Sequence, residues 1–185
     1  MKYPIVEHYL TPNIYTRPRR KLRRVNALVV HWTGSPGGTN AGLYRWFNET
    51  SPAEGRYGSA HYGIDGSSIY QFIPDDEIAY HVGATSYTDY AKRRFCDQYP
   101  NEYSLGVELN PINAEGYFQD EVLDRAVDLF AALCDRYDLD PMHDIIRHYD
   151  VTGKLCPKLF VDAEAEFEAF KERIENLWSK SLPGG

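Results

Sequence analysis

Residues 26–32, NALVVHW, decide the fold class together with the turn-forming TGSPGG that follows at 33–38. The run is apolar and β-branched as far as Val30, too short for a helix, and closed by glycine and proline. It reads as a buried strand that stops at His31 or Trp32.

Working outward, AGLYRWFNE (41–49) reads as a helix, and SAHYGID and SSIYQFI, split by Gly66, as a β-hairpin across 59–73. SLGVELN (104–110) is another strand, bounded by Pro111. Val122, Ala126, Leu129, Phe130, Leu133 and Tyr137 fall on one helical face. DIIRH (144–148) reads as a short strand. A last helix presents Phe167, Phe170, Ile174, Leu177 and Trp178 on one side and Glu164, Glu168, Glu172 and Glu175 on the other. Strands alternating with helices predict a single α/β domain with a central β-sheet flanked by α-helices. Pro4, Pro12 and Pro18 mark 1–24 as an irregular lead-in, 25–180 forms the domain, and SLPGG (181–185) resembles a tail or the start of a linker.

At 185 residues, 43% hydrophobic and 25% charged, the chain has the make-up of one ordinary globular domain. A net charge of −7 argues against a dedicated nucleic-acid binder. The charge is uneven: RPRRKLRR (17–24) holds six of the twenty basic residues, leaving 14 basic against 27 acidic elsewhere. Such a run is ordinarily a solvated loop, and the sharper reading is contact with an anionic polymer. Three cysteines are too few for a disulfide scaffold, though a Cys96–Cys134 pair stays open. The N-terminus has no apolar signal core, and no stretch is long enough to span a membrane. These features predict a protein made in a reducing cytoplasm.

RHYDVTGKLCPKLF (147–160) places Cys156 eight residues after His148 and two after Lys154. By itself the stretch leaves Cys156 as a nucleophile, a redox thiol, half of a disulfide or a metal ligand. A single histidine ending a strand is most often a hydrogen-bonded structural residue. His31 and His148 together change that reading, because strands of one sheet deliver their ends to one edge, where Cys156 arrives after a turn at Gly153. Two imidazoles and a thiolate form a zinc set, and three protein ligands leave a fourth position open, as catalytic zinc sites do. Alternation along SLGVELN puts Ser104, Gly106, Glu108 and Asn110 on one face. Glu108 is then a carboxylate in an apolar strand, which should face a cavity, a partner or a water to be deprotonated. If KLC is extended, Lys154 lies beside Cys156, where an ammonium suits a developing oxyanion.

VVHWTGSPGG, SAHYGID, AYHVG, SLGVELNP and RHYDVTGKLCP, in that order, resemble the type-2 N-acetylmuramoyl-L-alanine amidases. These are zinc hydrolases that share a fold with peptidoglycan recognition proteins. The resemblance runs from about residue 10 to residue 175, and YLTPNIYTRPRRKLRRVN (9–26) looks like the lead-in of phage and prophage amidases of Gram-positive bacteria. It implies a mixed sheet, a Zn2+ cofactor held by His31, His148 and Cys156, Glu108 as general base and Lys154 as transition-state stabiliser. The implied reaction is hydrolysis of the bond between N-acetylmuramic acid and L-alanine in peptidoglycan, as a phage or prophage lysis enzyme first, and as a host autolysin or wall-recycling enzyme second. Where some members carry a tyrosine before the SAHY histidine, this chain has Ala60, which places the proton chemistry on Glu108. His61 is expected to orient a strand or touch substrate, and His81 to line the substrate groove.

The implied partner is peptidoglycan, without nucleic acid and without membrane insertion, reached after release to the wall. Three rival classes make different predictions. A cysteine hydrolase using Cys156 and His148 survives chelators, whereas a non-catalytic peptidoglycan-binding module lacks the ligand cysteine. A partner-binding role coexists with either.

Overall fold

The computed structural model describes residues 1–181, so the expected tail lies, from residue 182 on, outside the described residues. Six strands form one sheet in the order β1-β4-β3-β5-β2-β6. They are β1 (Ile5–Glu7), β2 (Ala27–Trp32), β3 (Tyr62–Ile64), β4 (Ile69–Gln71), β5 (Ser104–Leu109) and β6 (Ile145–Arg147). Only the β3–β4 hairpin is antiparallel; the other pairs are parallel, so the sheet is mixed as expected. The helices are α1 (Asn40–Arg45), α2 (Ser51–Ala53), α3 (Asp89–Arg94), α4 (Asp120–Tyr137), α5 (Pro141–Asp144), α6 (His148–Thr152), α7 (Lys158–Asp162) and α8 (Glu164–Trp178).

The central strands β2 and β5 are covered on both faces, which is why NALVVHW shows no polar alternation through Val30. Leu28 and Val30 of β2, with Leu105, Val107 and Leu109 of β5, pack into the main core. The apolar stripes of α4 and α8 close that core, with the Phe130 and Phe170 rings edge-on at 5.6 Å and Phe160 stacked on Phe170 at 5.2 Å. Of the face expected for the last helix, Phe167, Phe170 and Ile174 are buried, but Leu177 is exposed where the helix runs past the core. Ala27 and Val29 point to the opposite side of the sheet, against Val82, Ala91, Phe95, Ile146 and Val151. His31 continues this second face.

One expectation needs correcting. The lead-in is not wholly irregular: Ile5–Glu7 adds a parallel edge strand beside β4, a place that Pro4 tolerates just before it. The basic run is a largely exposed loop, as its ordinary reading has it: Arg20 and Arg23 both pair with Glu102 and Lys21 pairs with Asp76 at the surface, while Arg17 turns inward to pair with Glu77. The Arg17–Glu77 pair is bidentate, at 2.9 Å for both bonds, and both side chains are largely buried. Cys96 and Cys134 are both free, one exposed and one buried. Among the described residues, no helix is long and apolar enough to cross a membrane.

Candidate active site

The site stands at the carboxyl ends of parallel strands β2, β5 and β6, where open α/β sheets leave a crevice between their loops. Val30 pairs in register with Arg147, so the next residues, His31 and His148, leave neighbouring strands side by side. The sequence places His148 at the end of a strand; the strand ends at Arg147, and His148 opens α6. That short helix is held by Arg147, whose guanidinium bonds Asp150 and the carbonyl of Phe160 while Asp150 accepts the Arg147 N–H. Gly153 ends it with φ +79°, a left-handed turn that glycine adopts without a Cβ penalty. The chain then returns to put Cys156 under His31, and the Tyr149 N–H donates to the Cys156 carbonyl at 2.9 Å.

The ligand atoms of His31, His148 and Cys156 lie within 4.8 Å of one another, and all three residues are buried. Small side-chain movements let one ion bond all three at about 2.0–2.3 Å. Two further observations fit a cation. His148 Nδ1 is buried with no hydrogen-bond partner, and Cys156 Sγ is 3.8 Å from His31 Nδ1, with the Trp32 backbone N–H favouring its thiolate form. Burial lowers the His148 pKa to about 4, helped by the Lys154 ammonium, and lowers that of His31 well below the usual range. Both imidazoles therefore keep the neutral form that ligates metals. Burial pushes the Cys156 thiol up to about 12, with the Glu108 carboxylate adding to the shift. An unassisted thiolate nucleophile is thus disfavoured, whereas a bound cation supplies the charge that removes the proton.

Glu108 lies beside this cluster as the register partner of His31 across β2 and β5. Its Oε2 is shut off from solvent with no hydrogen-bond partner, and burial raises the carboxyl to about 7, against the opposing pull of Lys154. Lys154 is exposed, and lines the cleft with Glu108, His148 and Cys156. A second hollow, walled by Trp46 and Leu43, meets the first at Trp32, Phe47, Glu108 and Lys154. The acid and the lysine therefore sit where two arms of one groove join.

The two histidines expected at the substrate fare differently. His61 is fully buried, its Nδ1 accepting the Gly106 N–H at 3.0 Å and its Nε2 bonding the Glu77 carbonyl at 2.9 Å. It orients strands, and no ring nitrogen is left for a substrate. His81 does border the cleft, but its Nδ1 faces His31 Nε2 at 3.0 Å. Sequence reasoning missed this contact, and also the Tyr57 and Tyr80 walls of the groove, whose rings pack edge-on at 5.6 Å. Nothing in the spacing of these residues announces that they meet.

Residues 21–159 match the N-acetylmuramoyl-L-alanine amidase family. A probable N-acetylmuramoyl-L-alanine amidase of Bacillus licheniformis is 35% identical over 175 residues, covering 94% of this chain and 48% of the relative. The N-acetylmuramoyl-L-alanine amidase BlyA of Bacillus subtilis (strain 168) is 34% identical over 172 residues, 90% of this chain and 46% of the relative. The chain thus spans about half the length of these relatives. Among solved structures, a mutant endolysin from Bacillus subtilis superposes with a TM-score of 0.73 at 22% identity, covering 93% of this chain and 99% of that one. The PlyG catalytic domain gives 0.73 at 21% identity, covering 97% and 99%. At such identities these likenesses are of fold.

Proposed function

The chain belongs to the N-acetylmuramoyl-L-alanine amidase family, and from that premise we propose that it hydrolyses the amide between the lactyl group of N-acetylmuramic acid and L-alanine in peptidoglycan, with zinc as its metal. The observation that carries the reading is Glu108, a half-buried residue whose Oε2 is shut off from solvent without a hydrogen-bond partner and which lines one open groove with the His31–His148–Cys156 cluster and Lys154. His31, His148 and Cys156 would hold the ion. When bound, zinc supplies Lewis-acid polarisation of the carbonyl and a water acidified toward neutral pH. Glu108 accepts the proton of the attacking water and returns it to the departing amide nitrogen, a task suited to a carboxyl poised near neutrality. The Lys154 ammonium faces the charge that grows on the carbonyl oxygen. The two-armed groove suits a substrate that continues on both sides of the broken bond, glycan one way and stem peptide the other.

The raised Cys156 thiol argues against a cysteine hydrolase, and the complete ligand set against a purely binding module. Cleaving that bond opens the wall, so the reading includes a lytic role there, with residues 25–180 as the catalytic domain and His81 at the groove. Zinc stoichiometry, together with mass spectrometry of digested muropeptides, tests the reading. Free L-alanine amino termini with intact glycan strands are expected. Cleavage within the glycan or between stem residues would overturn it.

A further inference from the structure

The His31–His81 contact belongs to neither metal holding nor proton transfer as derived above. His81 Nε2 lies 3.3 Å from the Ser104 carbonyl oxygen and 3.3 Å from its Oγ, and that hydroxyl donates to the Pro100 carbonyl at 2.8 Å. The Ser104 proton is committed and a carbonyl only accepts, so His81 Nε2 carries the hydrogen and donates it. In a neutral ring the other nitrogen is then an acceptor. His81 Nδ1 therefore accepts from His31 Nε2–H across 3.0 Å, and His31 Nδ1 is left with a free lone pair facing Cys156 Sγ. A fixed backbone carbonyl thus sets two tautomers in succession, as the hydrogen-bond network assigns them.

The ring is also built into place. The N–H groups of His81 and Val82 both donate to Asn101 Oδ1, at 3.2 and 2.9 Å. On the other side, a Cβ at position 106 would stand 2.5 Å from His81 Cγ, so the ring occupies space that only glycine leaves open. Ser104, Gly106 and Glu108 share one face of β5: the first bonds His81, the second makes room for it, and the third carries the acid.

We propose that His81 is a positioning residue for the metal ligand His31, holding its ring in the Nε2–H tautomer so that Nδ1 faces the metal with its orientation already fixed. This rests on the zinc reading above. A partner of this kind raises ligand basicity and removes rotational freedom that binding would otherwise have to freeze, and losing one typically weakens a site about 10–100-fold.

The test measures zinc affinity by competition with a chromophoric chelator in wild type, His81→Leu and His81→Asn, with far-ultraviolet dichroism of each metal-free form. Asparagine offers an oxygen near the place of Nδ1; leucine offers nothing. Zinc binding about 10–100-fold weaker in the leucine form, largely restored in the asparagine form, is the expected result. Long-range 1H–15N spectra of metal-free wild type should show His31 as the Nε2–H tautomer, a readout that needs no variant to fold. Wild-type affinity in His81→Leu, equal losses in both variants, or an Nδ1–H His31 overturns the proposal. A wild type that takes up no zinc overturns the metal reading as well, and so is told apart from failure of the positioning role alone.

Discussion

His31 and Glu108 are register partners on adjacent parallel strands, so the first histidine of the cluster and the acid beside it are spaced by the backbone ladder itself. Sites carried on strands are held more tightly than sites carried on loops. Here α6, which starts directly after β6, and the turn at Gly153 bring His148 and Cys156 to that ladder.

Replacing Glu108 with glutamine should leave zinc stoichiometry intact and lower turnover about 10²–10⁴-fold, the usual worth of a positioned acid–base group. Near wild-type wall lysis by this variant would remove Glu108 as the base.

The same substitution has a stability consequence in metal-free protein. Burial raises Glu108 from its ordinary 4.5 to about 7, so between those values the folded state holds a proton that the unfolded state has released. That contribution to stability is complete below pH 4.5 and is lost as pH rises through 7. The glutamine form has no charge to bury and should gain on wild type across that window, reaching on the order of 1–3 kcal/mol at pH 8. Urea melts with chelator at pH 5 and pH 8 measure the gap; an equal gap at both contradicts the assignment.

Histidine burial acts with the opposite sign. His148 is lowered to about 4 and His31, His61 and His81 are also lowered, all chiefly by burial. Unfolded, these rings take protons below about pH 6.5; folded, they resist, so stability falls as pH drops from 6.5 toward 4. Four histidines outweigh the one glutamate. Metal-free protein should therefore lose stability on mild acidification, with net proton uptake on unfolding at pH 5.5. Calorimetric melts in buffers of different ionisation enthalpy count those protons.

Cys156→Ala or His148→Ala should abolish high-affinity zinc uptake. In wild type, zinc at about 1,000 times its Kd adds about 4 kcal/mol to stability, which chelation removes. Melting curves of either variant should not respond to chelator; a response like that of wild type would show the cluster is not the metal site.

Lys154→Met should keep the metal and the fold, since the side chain is exposed, yet lower kcat by about 10²-fold or more with KM little changed. A change confined to KM would make Lys154 a substrate anchor instead.

Gly106→Ala puts a methyl 2.5 Å from a His81 ring whose backbone is pinned by Asn101. Overpacking of this kind costs about 1–3 kcal/mol, and it should weaken zinc binding along with stability. An alanine form that melts and binds as wild type does would mean that the ring has room to yield.

Much of this protein was legible in the residues alone. The strand NALVVHW, the alternation of SLGVELN, the faces of α4 and most of α8, and the chemistry of His31, Glu108, His148, Lys154 and Cys156 are local properties. They follow from side-chain periodicity and from what imidazole, thiolate and carboxylate do. The short elements were not legible: a three-residue strand such as Ile5–Glu7, or one helical turn such as His148–Thr152, carries too few residues for a pattern to emerge. Nor were the partners. Arg17 with Glu77, 60 residues on, and His81 with His31, 50 residues back, are joined by sheet order and burial, not by any neighbouring signal. Residue chemistry determined which groups this chain brings to its site. Tertiary structure alone decided which nitrogen of His31 is turned toward the ligand cluster, and that His61, equally conspicuous as a histidine, is used up bonding backbone. That choice depends on which carbonyl or amide burial leaves within 3 Å, and only the packed sheet supplies it.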